Sequence, residues 1–227
     1  LAGIFVLCSP KKSSGLGNAG TTAPDVNNAG LKLPAGFGAE VTAETGAQAR
    51  HIVVTANGII YVKLAKLNHE GKGILVLKQN ANGKATVKSG FGNYGGTGIY
   101  IKNGYLYASS NQEVFRYKLN AQNEVIDPNT PEKIITGLKM GREHETKSIT
   151  LDNDGNIYVN VGAYSNACQE KDRTANSPGQ DPCPILEHNG GVWQFDENKL
   201  GQKQEDGVKF ATGLRQMPAI TWGLDNA

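Results

Sequence analysis

Apolar and polar positions alternate along this chain in short bursts, and three of the bursts share one layout. They are His51-Ile-Val-Val-Thr-Ala-Asn57-Gly58-Ile-Ile-Tyr61-Val62, Gly98-Ile-Tyr-Ile-Lys-Asn103-Gly104-Tyr-Leu-Tyr107 and Ser148-Ile-Thr-Leu-Asp-Asn-Asp154-Gly155-Asn-Ile-Tyr158-Val159. Each is a β-branched apolar run, then Asn-Gly or Asp-Gly, then a second run with Tyr four positions after the Asn or Asp. Asn-Gly and Asp-Gly supply the two positive-φ positions of a type I′ turn, so each burst predicts an antiparallel hairpin with that turn. The turns start at 57, 103 and 154, spacings of 46 and 51 residues. A hairpin recurring at such intervals predicts the four-stranded blades of a β-propeller.

Laid out as strands A to D, the first blade is predicted at Ile52–Thr55, Ile59–Leu64, Ile74–Lys78 and Ala85–Lys88. The second is Ile99–Ile101, Tyr105–Ala108, Val114–Leu119 and Lys133–Thr136. The third is Ile149–Leu151, Ile157–Val161, Val192–Phe195 and Val208–Ala211. The third blade carries an insertion of about 29 residues between B and C, judged from the spacing of the Gly that closes each D strand. Ala39–Ala43 reads as a lone D strand and Ala219–Trp222 as a lone A strand. Three blades and two orphan strands fall short of a closed ring, so the sequence reads as the N-terminal half of a longer propeller over 31–227. Residues 1–30 read as a signal or lipoprotein remnant and a disordered linker.

Composition narrows the partners. Lys and Arg number 23 against 21 Asp and Glu, a net charge of +2. That balance gives no reason to expect nucleic acid or an anionic membrane. The apolar stub before Cys8 looks like the tail of an export signal. It resembles a bacterial lipoprotein signal with Cys8 as the lipidated residue, although Leu7 stands where such signals place a small residue; ordinary secretion, with Cys8 discarded, is the other reading. Export places the protein in the periplasm or on the outer membrane or cell surface, with the membrane reached only through a lipid anchor. In an oxidising compartment Cys168 and Cys183 are expected to form a disulfide. Zinc suits them poorly, since only His188 is near and no second Cys-x-x-Cys exists.

In a propeller, the residues before each A strand gather at one mouth. Here they are Arg50-His51, Gly95-Gly96-Thr97, Arg142-Glu143-His144 and Arg215-Gln216. A set of Arg, His and Glu offers a general base, an acidic partner and anion clamps. Each has a plainer role too. His144 could be an idle loop histidine, His51 a structural hydrogen-bonder, and Arg215 a cap between blades. His69 and His188 read as solvated, the three tyrosines as inter-blade packing, and lysines of the C and D strands as solvated faces. Asn93-Tyr-Gly-Gly96-Thr-Gly98 precedes no helix and is a poor phosphate cradle.

Several of these segments resemble one family. Gly141-Arg-Glu-His144 through Gly162, Phe210-Ala-Thr-Gly-Leu-Arg215-Gln216, and Leu33-Pro-Ala-Gly-Phe37 followed by Ala49-Arg50-His51 are similar to quinoprotein glucose and sorbosone dehydrogenases. Ser165-Asn-Ala-Cys168 through Cys183-Pro-Ile-Leu resembles the sorbosone branch. The resemblance implies a six-bladed propeller holding pyrroloquinoline quinone (PQQ) with calcium, oxidising a sugar and passing electrons to a cytochrome or other acceptor. It implies His144 as general base, Glu143 at the substrate, and Arg215 and Gln216 at the quinone. Gln216 and Met217 depart from the family's Asn-Pro. No metal ligand can be named, since the calcium-binding carbonyls are expected from later blades. By itself this chain is expected to be inactive. Two other functions remain open on the same architecture: a calcium-dependent lactonase-type hydrolase, and a non-catalytic propeller that grips glycan or protein.

Overall fold

A computed structural model describes residues 24–223, and the backbone alone of 4–10. Strand β1 (Ile4–Pro10) pairs antiparallel with β2 (Phe37–Glu44), where a lone strand was expected. The side chain of Cys8 and residues 11–23 lie outside the described residues, so the lipidation and linker expectations are not addressed. Asp25 and Asn28 accept hydrogen bonds from the Val41 and Ala39 amides, which ties the segment before Leu31 onto β2.

Three antiparallel four-stranded sheets follow, each in chain order. The first is β3 (Ala49–Val54), β4 (Ile59–Leu64), β5 (Ile74–Gln79) and β6 (Ala85–Phe91). The second is β7 (Ile99–Lys102), β8 (Tyr105–Ser109), β9 (Val114–Lys118) and β10 (Glu132–Thr136). The third is β11 (Ile149–Leu151), β12 (Asn156–Val161), β13 (Gly191–Asp196) and, after the short β14 (Gln202–Lys203), β15 (Val208–Thr212). The A strands β3, β7 and β11 abut one another in order, so the sheets fan out from a shared A edge. This is the stacking of β-propeller blades.

Burial explains the apolar runs. Each B strand is sandwiched, and every residue of β4 is buried. On alternate positions, Ile59 and Tyr61 of β4 meet Leu106, Ala108, Phe115 and Tyr117 of the second sheet. Tyr107 of β8, one face over, joins Ile149, Ile157, Val159, Trp193 and Phe195 of the third. Thus the repeated Tyr faces forward into the next blade, as the packing role required.

Of the three hairpins, the second has type I′ geometry. There Lys102 pairs with Tyr105 and both Asn103 and Gly104 have positive φ. In the first and third hairpins the turn holds one more residue, and only Gly58 and Gly155 are left-handed. Thr55 Oγ1 and Asp152 Oδ1 accept the Ile59 and Asn156 amides, which satisfies the longer turn. Lys102 at the matching place has no acceptor to offer.

Two further differences concern edges. Ala219–Trp222 is irregular, because an A strand takes its backbone partners from its own B strand and the described residues supply none. Instead, Trp222 stacks on Tyr158 with ring centroids 4.9 Å apart. Strand β14 pairs parallel with β10, so the C-to-D connection of the third sheet laces onto the outer edge of the second.

Candidate functional site

The loops before the A strands and the long loop after β12 share one end of the stack, away from the hairpin turns. A register rule builds that end. Two residues past the repeated Tyr, on the same face of strand B, stand Lys63, Ser109 and Asn160, all fully buried. Lys63 Nζ donates to the Tyr94 carbonyl at 2.8 Å, in the loop leading to the second blade. Ser109 Oγ donates to the Lys147 carbonyl, in the loop leading to the third. Asn160 Oδ1 accepts the Met217 amide at 3.2 Å, in the loop that follows the third. Each blade therefore pins the loop that follows it with a buried polar side chain.

His144 sits in the second of these loops, 6% exposed. Its backbone amide donates to Gly141 O at 2.8 Å, and its ring Nδ1 lies 2.7 Å from Ala163 O at the end of β12. A carbonyl can only accept, so Nδ1 carries a proton, and in the neutral ring the lone pair stands on Nε2. Nε2 is buried and has no partner.

Gln216 comes up beside it. Its Nε2 donates to the Thr146 carbonyl and hydroxyl, which fixes the amide so that Oε1 is the second buried atom without a partner. Both side chains lie against Gly162: a Cβ there would stand 2.0 Å from Gln216 Oε1 and 2.6 Å from His144 Cβ. No side chain larger than hydrogen fits.

Arg215 is brought to the same place through its backbone, whose carbonyl accepts the Ala163 amide at 2.7 Å. Ala163 thus holds His144 with its carbonyl and Arg215 with its amide. The Arg215 guanidinium donates through Nε to Asn166 Oδ1 and lines a cavity of about 190 Å³ with Cys168, Cys183, Ile185 and Leu214. His144, Arg215 and Gln216 are therefore together, on one side of the stack.

Glu143 is placed otherwise. Its carboxylate is mostly exposed and pairs with Arg173 of the long loop, beside a second pair, Arg142 with Asp172 at 3.4 Å. The group that orients the imidazole is the Ala163 carbonyl, not Glu143. The long loop is closed by a disulfide between Cys168 and Cys183, as expected. His51 is half-buried, and burial followed by the Arg50 charge holds its pKa below the ordinary histidine value. His69 and His188 are exposed beside Glu70 and Glu187.

Sequence reasoning missed Gly162, Ala163, Thr146, Asn166 and the buried amines of Lys63 and Lys147. Burial pulls these two down to about 7 and about 8. For Lys63 a signal existed, its constant offset from the repeated Tyr. For Ala163 none did, because it acts through its backbone.

The fold defines the chain as stacked β-propeller blades, with these polar residues at the end away from the hairpin turns. The chain belongs to the TrAA12-like family, whose description matches residues 31–226. Among solved structures it is similar to the calcium structure of a Trichoderma reesei carbohydrate-active enzyme of family AA12, at 20% identity and a TM-score of 0.55, covering 75% of this chain and 42% of that one. It is also similar to the holo form of the pyranose dehydrogenase PQQ domain from Coprinopsis cinerea, at 17% identity and a TM-score of 0.54, covering 75% of this chain and 40% of that one. At these identities the likeness is one of fold, and the chain spans about two fifths of either structure's length. A comparison with curated proteins gives no match. The family shown is TrAA12-like; the match does not name glucose or sorbosone dehydrogenase.

Proposed function

We propose that this chain supplies the base-bearing part of a PQQ-dependent sugar oxidoreductase, acting on a hydroxyl of an aldose or sorbosone-like sugar. The observation that carries the reading is that two of the four buried side-chain atoms without a partner among the described residues, His144 Nε2 and Gln216 Oε1, belong to neighbouring side chains that both lie against Gly162. Both are acceptors. Buried acceptors at one wall cost free energy until a donor reaches them, and a sugar hydroxyl is such a donor.

The residues fit the quinone as well. Gly141 and Gly162 let the backbone close tightly around His144, which holds the imidazole in place beside the bound group, since a Cβ at Gly141 would come 2.6 Å from His144 O. The Arg215 guanidinium supplies a cation for a polyanionic cofactor. Bound PQQ would supply a two-electron acceptor for the hydride equivalent leaving the sugar carbon. His144 Nε2 takes the hydroxyl proton, the Ala163 carbonyl stabilises the ring that has gained it, and Gln216 Oε1 orients a neighbouring donor. Glu143, paired with Arg173, sits at the rim where a sugar would pass. Calcium enters this reading through the Trichoderma reesei structure alone; among the described residues no group of three or more His, Cys, Asp or Glu gathers, and none is assigned to it.

The disulfide supports export to an oxidising compartment, where electrons would pass to a cytochrome or similar acceptor. The test is dye-coupled sugar oxidation by the full-length protein with PQQ and calcium added. Replacing the imidazole (His144→Ala) should cut turnover by roughly a hundredfold or more while PQQ still binds. Turnover that survives the change would refute the role of His144.

A further inference from the structure

One buried amide bridges the two segments that hold His144, one by its backbone and one by its ring. Asn189 lies at the far end of the long loop, 9% exposed, where the short 3-10 turn Pro184–Glu187 delivers it. Its backbone amide donates to Ile185 O at 3.0 Å, which sets the side chain facing inward. Its Nδ2 donates to two carbonyls: Gly162 O at 3.1 Å and Met140 O at 3.3 Å.

Those two carbonyls are neighbours of the acceptors that hold His144. Met140 immediately precedes Gly141, whose carbonyl takes the His144 backbone amide. Gly162 immediately precedes Ala163, whose carbonyl takes His144 Nδ1. A single planar amide thus bridges the His144 loop and the end of β12, fixing the distance between the two arms that hold the ring. Gly141 and Gly162, at the heart of the two arms, have no side chains with which to do this.

We infer that Asn189 is a positioning residue for His144, holding the Ala163 carbonyl where it keeps the imidazole proton on Nδ1 and the lone pair on Nε2. The inference rests on the reading of His144 as base for its bearing on turnover, but the geometry it asserts can be measured without any reaction. The chemistry explains why the residue is an amide. Both partners are acceptors, so a carboxylate of the same shape would face two carbonyls and separate the arms. An apolar side chain would leave both carbonyls buried without a donor.

The readout is the His144 ring Nδ1–H in nitrogen-15 correlated proton NMR. In the unaltered protein it should appear as a downfield signal that exchanges slowly with water, since it points at a buried carbonyl. Asn189→Asp keeps the volume and removes both donors; its exchange should be faster by about tenfold or more, with the disulfide intact and the far hairpin amides still protected. Asn189→Ala should do the same. If Asn189→Asp fails to fold, Asn189→Ser, smaller and still a donor, replaces it and should give a smaller acceleration. An unchanged Nδ1–H in any folded variant lacking both donors overturns the inference, whatever the activity. In the full-length enzyme, Asn189→Asp should lower kcat more than it raises KM and shift the acidic limb of the pH profile, where a general base takes up its proton. If no sugar oxidation is found at all, the function fails while the NMR result still decides the role of Asn189.

Discussion

Gly162 shows how much one absent side chain carries. It stands just past the end of β12, with both His144 and Gln216 packed against it. A methyl group here would collide with backbone as well as side chain, since it would stand only 2.3 Å from the His144 carbonyl oxygen. Backbone cannot rotate away as a flexible side chain can, so the loop itself must move. Gly162→Ala should therefore cost about 1–3 kcal/mol of stability, the usual penalty of forcing atoms into a packed place. Urea unfolding would measure it, and a midpoint equal to that of the unaltered protein would show that the loop yields freely. The same substitution should abolish the slow exchange of the His144 ring proton, because the Ala163 carbonyl follows Gly162 directly.

At the scale of the strand, the informative object is the polar place two residues beyond the repeated Tyr. Lys63 fills it with an amine whose charged form burial strongly disfavours, dropping its pKa from 10.5 to about 7. The sign follows from proton counting. Between about pH 7 and pH 10 the unfolded chain keeps a proton on this lysine that the folded chain has lost, so stability rises with pH across that window. Lys147, lowered to about 8, acts in the same direction, and Tyr61, raised to about 12, opposes it only above pH 10. Thermal melts of the unaltered protein should climb from pH 7 toward pH 10, and Lys63→Met should flatten most of that climb. A Lys63→Met protein with an undiminished rise would show that Lys63 keeps its proton when folded. This place also marks the limit of what could be read from residue types. The twelve blade strands were legible because apolar alternation and Gly-bearing turns leave a two-residue period that tertiary packing then enforces. That the loops carrying His144, Arg215 and Gln216 share one end was legible because the period says which loops meet. Turn geometry in the first and third hairpins was not, since Thr55 and Asp152 act as local acceptors that the Asn-Gly and Asp-Gly signal does not register. Ala163 and Asn189 were invisible for another reason: one works through its carbonyl, and the other depends on a loop path that no periodicity describes.

Across the whole molecule, the hairpin turns do at one end what the buried polar place does at the other. Asn57 Nδ2 reaches Gln122 O in the next blade at 2.6 Å, and Asn103 Nδ2 reaches Glu197 Oε1 at 2.8 Å. The two joints share a donor but differ in acceptor and in burial: a backbone carbonyl in the first, a carboxylate in the second. The first is exposed, so water replaces it when it breaks. Glu197 is 5% exposed, and its other oxygen has no partner, so the Asn103 amide is a donor it cannot easily replace. Arg116 adds a bond to the Glu197 carbonyl at 2.9 Å, and β14 continues the contact onto β10. Glycine is the clean probe at position 103, because φ there is +50° and glycine accepts that conformation without strain. Asn103→Gly should cost about 1–3 kcal/mol through the unpaired buried carboxylate, whereas Asn57→Gly should cost less than about 1 kcal/mol. If the joint couples the blades, Asn103→Gly should also speed amide exchange in β10 and β13 together, while Asn57→Gly leaves both unchanged. Equal costs for the two changes, or a response confined to β13, would mean that the Asn103 amide does not couple the second and third blades.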